Sequence, residues 1–180
     1  MRAMRVAIFD LDGTLIDSDR ALAAPFIALG VDPELVPWGL PLPEACRRVG
    51  VNVADYLTGY DPTIAQAFPG VDDLLARLGR WGVCSNKHPD SGPAELRRLG
   101  WDPEAAWFND GRGPKDLQPL LDAMDLEADD VVFVGDTGHD RVCAGAVGCG
   151  FAVAGWNPRA EQQGDDLVLA SPGALLDLLA

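Results

Sequence analysis

The sequence predicts an α/β fold: a doubly wound, mostly parallel sheet with a small helical cap inserted after the first strand. Three observations lead to it. Short apolar runs alternate with segments of helical spacing along most of the chain, residues able to do chemistry recur just after those runs, and one proline-rich stretch breaks the rhythm. Strands alternating with helices of roughly 10 residues imply right-handed βαβ units and a parallel sheet. In such sheets ligands bind outside the carboxyl ends of the strands.

The run Arg5–Phe9 reads as the first strand and stops at Asp10. From about Asp17 to Phe68 no clear strand is read, and Pro25, Pro33, Pro37, Pro41, Pro43 and Pro62 cut the stretch into short helical pieces. Proline removes a backbone donor and ends helices early. We therefore expect a core of residues 1–16 and 69–180 and a cap of residues 17–68, with linkers near Ile16–Ser18 and Phe68–Gly70. Beyond the cap, strands are expected at Gly82–Cys84, Ala105–Phe108, Val131–Val134, Phe151–Ala154 and Leu167–Leu169. Helical spacing covers Val71–Leu78, Pro93–Leu99, Leu117–Met124 and Asp140–Val147, and a last helix is expected at Pro172–Leu179. This layout puts Asp10 and Asp12, Ser85, Asn109 and Asp110, and Asp136 at strand ends.

Composition narrows the partners. The 180 residues fit one domain, with or without an insertion. A formal net charge of −14 argues against a nucleic-acid backbone as the main partner, since phosphate binding needs a basic face. Acid surplus suits a site for a metal cation. The apolar run that ends at Asp10 is too short for the core of a signal peptide, and no later stretch approaches a membrane span. Cys46, Cys84, Cys143 and Cys149 form no C-x-x-C pair, so reduced thiols in a cytoplasmic protein are expected.

In "IFDLDGTL" two acids stand two residues apart where an apolar run meets a glycine turn. Residues i and i+2 of an extended segment point the same way, so Asp10 and Asp12 can face one pocket, and Gly13 permits the sharp turn that exposes them. "FVGDTGHD" places Asp136 just after another strand, with Asp140 one helical turn further on. Two unit charges 4 Å apart repel by about 4 kcal/mol at an effective dielectric near 20. Converging carboxylates therefore call for a divalent cation, and Mg2+ fits, being hard and oxygen-seeking. "CSNK" offers the hydroxyl of Ser85, and Lys115 is expected to open the helix "PKDLQPLLDAM". A hydroxyl, backbone N–H groups and an ammonium are the donors a phosphoryl group needs, and an aspartate can act as nucleophile toward phosphorus.

"DLDGTL", "SNK", "PK" and "GDTGHD…AGAVG" together resemble the four ordered motifs of the haloacid dehalogenase (HAD) superfamily, on its phosphoglycolate-phosphatase-like branch. "FPGVDDLLARLGRWG" and "DDLVLASPGALLDLL" are similar to the segments that the family places before the second motif and at the end of the chain. The resemblance implies a Rossmann-like core and a magnesium-dependent phosphatase acting on small-molecule phosphate esters through an aspartyl-phosphate. On it, Asp10 would attack phosphorus. Asp12 would protonate the leaving oxygen and then activate water. Asp10, the backbone carbonyl of Asp12, and Asp136 would hold Mg2+. Ser85 and the Asn86 backbone would bind phosphoryl oxygens, and Lys115 would tie Asp10 to the phosphate. Asp140 would act through an intervening water or by orienting Lys115. In this chain only "TGYDPTIAQAF" follows "VGVNVADYL" before "PGV", a shorter cap than the family usually carries.

Asp12 disfavours a dehalogenase or phosphonate hydrolase of the same superfamily. A sugar-phosphate mutase would share the whole apparatus. A receiver domain would carry its phosphorylated acid on a middle strand and no insertion, and a non-catalytic binding protein would have lost one of the key groups. His88 and His139 are read as loop histidines without catalytic roles. Trp38, Arg47, Arg48 and Tyr60 are read as packing or surface residues of the cap.

Overall fold

The structure, a computed structural model, describes residues 6–180. Arg5, with which the first expected strand began, lies outside the described residues. In chain order the elements are β1 (Val6–Phe9), β2 (Ile16–Asp17), α1 (Asp19–Ala28), α2 (Leu42–Val49), α3 (Val53–Gly59), β3 (Gln66–Ala67), α4 (Val71–Leu75), β4 (Trp81–Ser85), α5 (Gly92–Leu99), β5 (Ala105–Phe108), α6 (Gln118–Met124), β6 (Val131–Gly135), α7 (Gly138–Val147), β7 (Gly150–Ala154), β8 (Leu167–Leu169) and α8 (Leu175–Leu179).

Six strands form a parallel sheet in the order β5-β4-β1-β6-β7-β8. Strands β1, β4 and β6 are buried along their whole length. This is why their sequences read as unbroken apolar runs rather than alternating ones. Alternate residues still serve opposite faces. Ala7, Phe9, Val83, Val132 and Val134 meet Leu74 and Leu75 of α4, Leu96 of α5 and Leu175 of α8. Ile8, Cys84, Val131 and Phe133 meet Leu120 and Leu121 of α6 and Cys143 and Ala144 of α7. Helices thus cover both faces, the doubly wound arrangement expected. All four cysteines are free thiols. Among the described residues no helix is long and apolar enough to cross a membrane.

Helices α1, α2 and α3 gather around a separate cluster of Phe26, Val36, Leu42, Ala45, Cys46 and Tyr56. Phe26 and Tyr56 pack with ring centroids 4.5 Å apart, and Asn52 caps α3 by accepting from the Ala54 N–H at 2.8 Å.

The structure corrects several sequence readings. The stretch from Asp17 to Phe68 does contain a strand: β3 pairs antiparallel with β2, Ile16 opposite Ala67 and Asp17 opposite Gln66. Two residues per strand give no readable alternation. Helix α4 stops at Leu75 rather than Leu78, because tighter bonds from the Arg77 N–H to the Leu74 carbonyl (2.9 Å) and from the Leu78 N–H to the Leu75 carbonyl (3.2 Å) close its last turn. Pro172–Ala174 forms a 3-10 turn ahead of α8. His139 sits in the first turn of α7 and not in a loop.

Candidate active site

The carboxyl ends of β4, β1 and β6 lie side by side, with Phe9 opposite both Val83 and Val134. The Asp10 N–H donates to the Val134 carbonyl at 2.9 Å, so strand pairing continues through Asp10 and fixes where its side chain leaves the sheet. Gly13 then turns the chain at φ +82°; a Cβ there would lie 2.2 Å from Asp136 Oδ2. Only glycine allows both the backbone conformation and the close approach of that carboxylate.

Asp136 follows the end of β6. Its Oδ1 accepts from Thr14 Oγ1 at 3.2 Å and its Oδ2 from Asn157 Nδ2 at 3.3 Å; the same Asn157 amide donates to the Gly13 carbonyl at 2.8 Å. One carboxylate oxygen each from Asp10, Asp136 and Asp140 lies within 4.8 Å of the others. Burial pushes Asp10 up to about 7, with Asp140 adding and Lys115 opposing. Asp136 rises to about 8 through burial, followed by the charges of Asp10 and Asp140. An all-oxygen donor set in which the single ammonium of Lys115 faces three carboxylates fits a hard divalent cation.

Lys115 Nζ is 2.7 Å from Asp10 Oδ1 and 2.5 Å from Asp140 Oδ1, on a side chain 4% exposed. Burial alone would lower its pKa, but Asp10 and Asp140 more than reverse that and hold it raised. It does not open a helix: α6 starts three residues later, at Gln118. Lys115 is instead carried by a loop that Asn109 shapes, its side chain donating to the Gly113 carbonyl and accepting from the Gly111 N–H. Asp140 completes a capping box at the start of α7. Its Oδ2 accepts from the N–H groups of Asp136 and Thr137 and from Thr137 Oγ1, leaving Oδ1 for Lys115. Both Asp140 oxygens are engaged, which suits orientation of Lys115.

Ser85 ends β4, 1% exposed, and its Oγ accepts from the Lys87 N–H at 3.1 Å. The Asn86 amide donates to the Gly39 carbonyl at 2.9 Å, joining the core to the segment of α1–α3. Asp12 is not part of that group of three acids; its carboxylate accepts from Lys87 Nζ. Lys87 also bonds the Tyr60 hydroxyl at 2.8 Å and faces Glu95 at 3.4 Å. The Tyr60 hydroxyl donates to Glu95, a side chain 0% exposed.

Asp10, Asp12, Ser85, Asn86, Lys115 and Asp136 border one cavity of about 440 Å³. Trp38, 44% exposed, and Tyr60, packed against the core and the cap cluster, border it too. Arg47 and Arg48 do not line it; they face a neighbouring cleft with Arg112 and His139. Sequence reasoning missed Lys87, Glu95, Thr14 and Asn157. Lys87 had a signal, two residues after Ser85 in "CSNK"; a lysine there is unusual right behind a buried strand.

Strand-end acids, a hydroxyl and a buried lysine thus meet at one end of a parallel α/β sheet, an arrangement suited to binding a phosphoryl group. A phosphoglycolate phosphatase of Xanthomonas campestris pv. campestris is 32% identical over 206 residues, covering 92% of this chain and 88% of that protein. A phosphoglycolate phosphatase of Rhodospirillum rubrum is 29% identical, covering 95% of this chain and 85% of that protein. A haloacid dehalogenase-like hydrolase from Streptococcus pneumoniae superposes with a TM-score of 0.80 at 22% identity over all of both chains, a likeness of fold. No family model matches the chain. The chain belongs to the HAD superfamily, on its phosphoglycolate-phosphatase-like branch, and is a phosphatase of that superfamily. The match to the Xanthomonas protein is longer than the 180 residues of this chain, so that relative carries residues this chain lacks.

Proposed function

We propose that the chain is a magnesium-dependent phosphatase that hydrolyses small phosphomonoesters through an aspartyl-phosphate on Asp10. The observation that carries this is Lys115 bridging Asp10 and Asp140 beside Asp136 at the ends of adjacent strands. Asp10 Oδ attacks phosphorus, and the bond from phosphorus to the ester oxygen breaks as Asp12 gives that oxygen a proton. Asp12, now a carboxylate, takes a proton from water, which attacks the aspartyl-phosphate and returns free phosphate and Asp10. Lys87 holds the Asp12 side chain in place for both steps, as the acid in the first and the carboxylate in the second. Ser85 and the Asn86 backbone bind phosphoryl oxygens, and Lys115 keeps Asp10 aimed at phosphorus. Asp10, the backbone carbonyl of Asp12, and Asp136 would hold Mg2+, which when bound supplies positive charge to the phosphoryl oxygens and to the acid cluster.

The relatives' names make phosphoglycolate the first ester to try. Release of inorganic phosphate from phosphoglycolate or from an aryl phosphate, abolished by chelation and restored by Mg2+, is the expected result. Activity that survives exhaustive chelation, or no release from any ester, overturns the reading.

A further inference from the structure

We propose that the cap side of the active-site cavity receives an uncharged, apolar leaving group, so that the preferred esters carry a hydrocarbon or aryl alcohol rather than a hydroxy acid. The inference rests on the phosphatase reading and concerns the far end of the substrate.

Away from the strand ends the cavity is walled by Leu22, Phe26, Val36, Leu42, Ala45 and Tyr56. Five of these six belong to the tightly buried cluster or pack against it: Phe26, Val36, Leu42, Ala45 and Tyr56 are each 9% exposed or less. Such a wall rewards apolar contact, while the polar side chains of Trp38, Tyr60, His88 and Ser91 border the cavity outside it.

Charge points the same way. Among the described residues, the Lys and Arg side chains bordering the cavity are Lys87, Lys115 and Arg159. Each already faces carboxylates. Lys115 lies between Asp10 and Asp140, and Lys87 between Asp12 and Glu95. Arg159 is ion-paired with Asp19 and lies 5.3 Å from the centre of the Trp38 ring. Asp19 and Glu161 also border the cavity. Apart from the acid cluster and its two lysines, Arg159 is outnumbered by Asp19 and Glu161 on the cavity border, and like-charge contacts there work against an anionic tail.

Size agrees. About 440 Å³ falls within the roughly 300–1,000 Å³ that suits drug-sized ligands. A two-carbon glycolate would leave most of the apolar wall untouched.

The test is kcat/KM of the Mg2+-loaded full chain on phenyl phosphate, n-butyl phosphate, phosphoglycolate and 3-phosphoglycerate, with methyl phosphate as a small ester bearing no such tail. We expect phenyl and butyl phosphate to exceed both carboxylate esters by at least about ten-fold, the lower end of what one apolar contact contributes. Leu22→Lys, which puts a cation into the half-exposed part of the wall, should shift the ratio toward phosphoglycolate. Preference for phosphoglycolate by the wild type, or equal rates on all four esters, overturns the proposal; so does a folded Leu22→Lys with an unchanged ratio. If that variant does not fold, the wild-type series decides alone. Turnover of methyl phosphate with either overturning result leaves the phosphatase reading intact, whereas no turnover of any ester removes both.

Discussion

Lys87 Nζ lies 3.0 Å from one oxygen of Asp12 and 3.3 Å from the other, on a side chain only 2% exposed. A buried ion pair is a weak source of stability, because desolvation of both charges offsets most of their attraction. Here it has a geometric effect: it fixes the Asp12 carboxylate at the cavity wall, bound through both oxygens.

Replacing Lys87 by Met should therefore lower kcat by about 10- to 100-fold, part of the 10²–10⁴-fold that a placed acid–base group contributes. KM should stay near the wild-type value, since Lys115 and Ser85 are untouched. Tyr60→Phe, which removes only one of the bonds to Lys87, should lower kcat by less than about ten-fold. Steady-state kinetics check both, and an unchanged kcat in Lys87→Met would exclude the positioning role.

Asp10→Asn removes the nucleophile, so turnover should fall to the background rate and beryllofluoride with Mg2+ should fail to trap the protein. Asp12→Asn leaves the nucleophile in place and should cost about 10²–10⁴-fold in kcat while trapping survives. Fluorine NMR of the trapped species distinguishes the two. Equal trapping in both variants would mean the roles are reversed or shared.

The acid cluster also makes stability depend on pH. Asp10 and Asp136 have folded-state pKa values raised to about 7 and about 8, from 3.8, mainly by burial. Between about pH 4 and 8 the folded chain then binds more protons than the unfolded one, so their contribution to stability falls as pH rises through that window. Metal-free protein should lose melting temperature from pH 5 to pH 8, and Asp136→Asn should flatten the slope. Magnesium should raise the melting temperature more at pH 8 than at pH 5, because it binds the ionised cluster. Thermal melts on a pH series check this; a slope that rises with pH and is indifferent to Asp136→Asn would contradict it.

Gly13→Ala tests the turn. The left-handed backbone alone should cost about 1–2 kcal/mol, and the added Cβ must also displace Asp136 Oδ2, 2.2 Å away. We expect a lower melting temperature together with weaker Mg2+ dependence of activity. A stable variant with unchanged Mg2+ response would show that Asp136 has freedom to move.

The parts of this site that could be read from the chain are those whose signal is local. Asp10, Asp12 and Gly13 fall within four residues of one another, and Asp136 and Asp140 flank a single helix start, so spacing alone brings each group together. Ser85 was legible because an apolar run ends on it. Lys87, Glu95 and Tyr60 were not, because their meaning lies in one another: Lys87 lies two residues past the end of β4, Glu95 sits on α5 where an acid normally faces water, and Tyr60 follows α3, distant from both in sequence. A helical glutamate that is 0% exposed has no sequence signature until its partners are in place. Asn157 joins from the loop after β7, a segment with no apolar rhythm to place it. The β2–β3 pair was invisible for a similar reason, its two halves lying at opposite ends of the cap stretch.

That small ladder has a consequence for how such chains diversify. With Ile16 held opposite Ala67 and Asp17 opposite Gln66, the chain leaves the core and re-enters it at adjacent points. The entropy of closing a loop grows only with the logarithm of its length, about 0.6 kcal/mol for each doubling. Residues can therefore be gained or lost between those anchors at a small energetic cost, while the strand ends bearing Asp10, Ser85 and Asp136 stay as they are. The length of this stretch is close to thermodynamically neutral, so selection can reshape the cavity wall that it supplies without refolding the strand ends beneath.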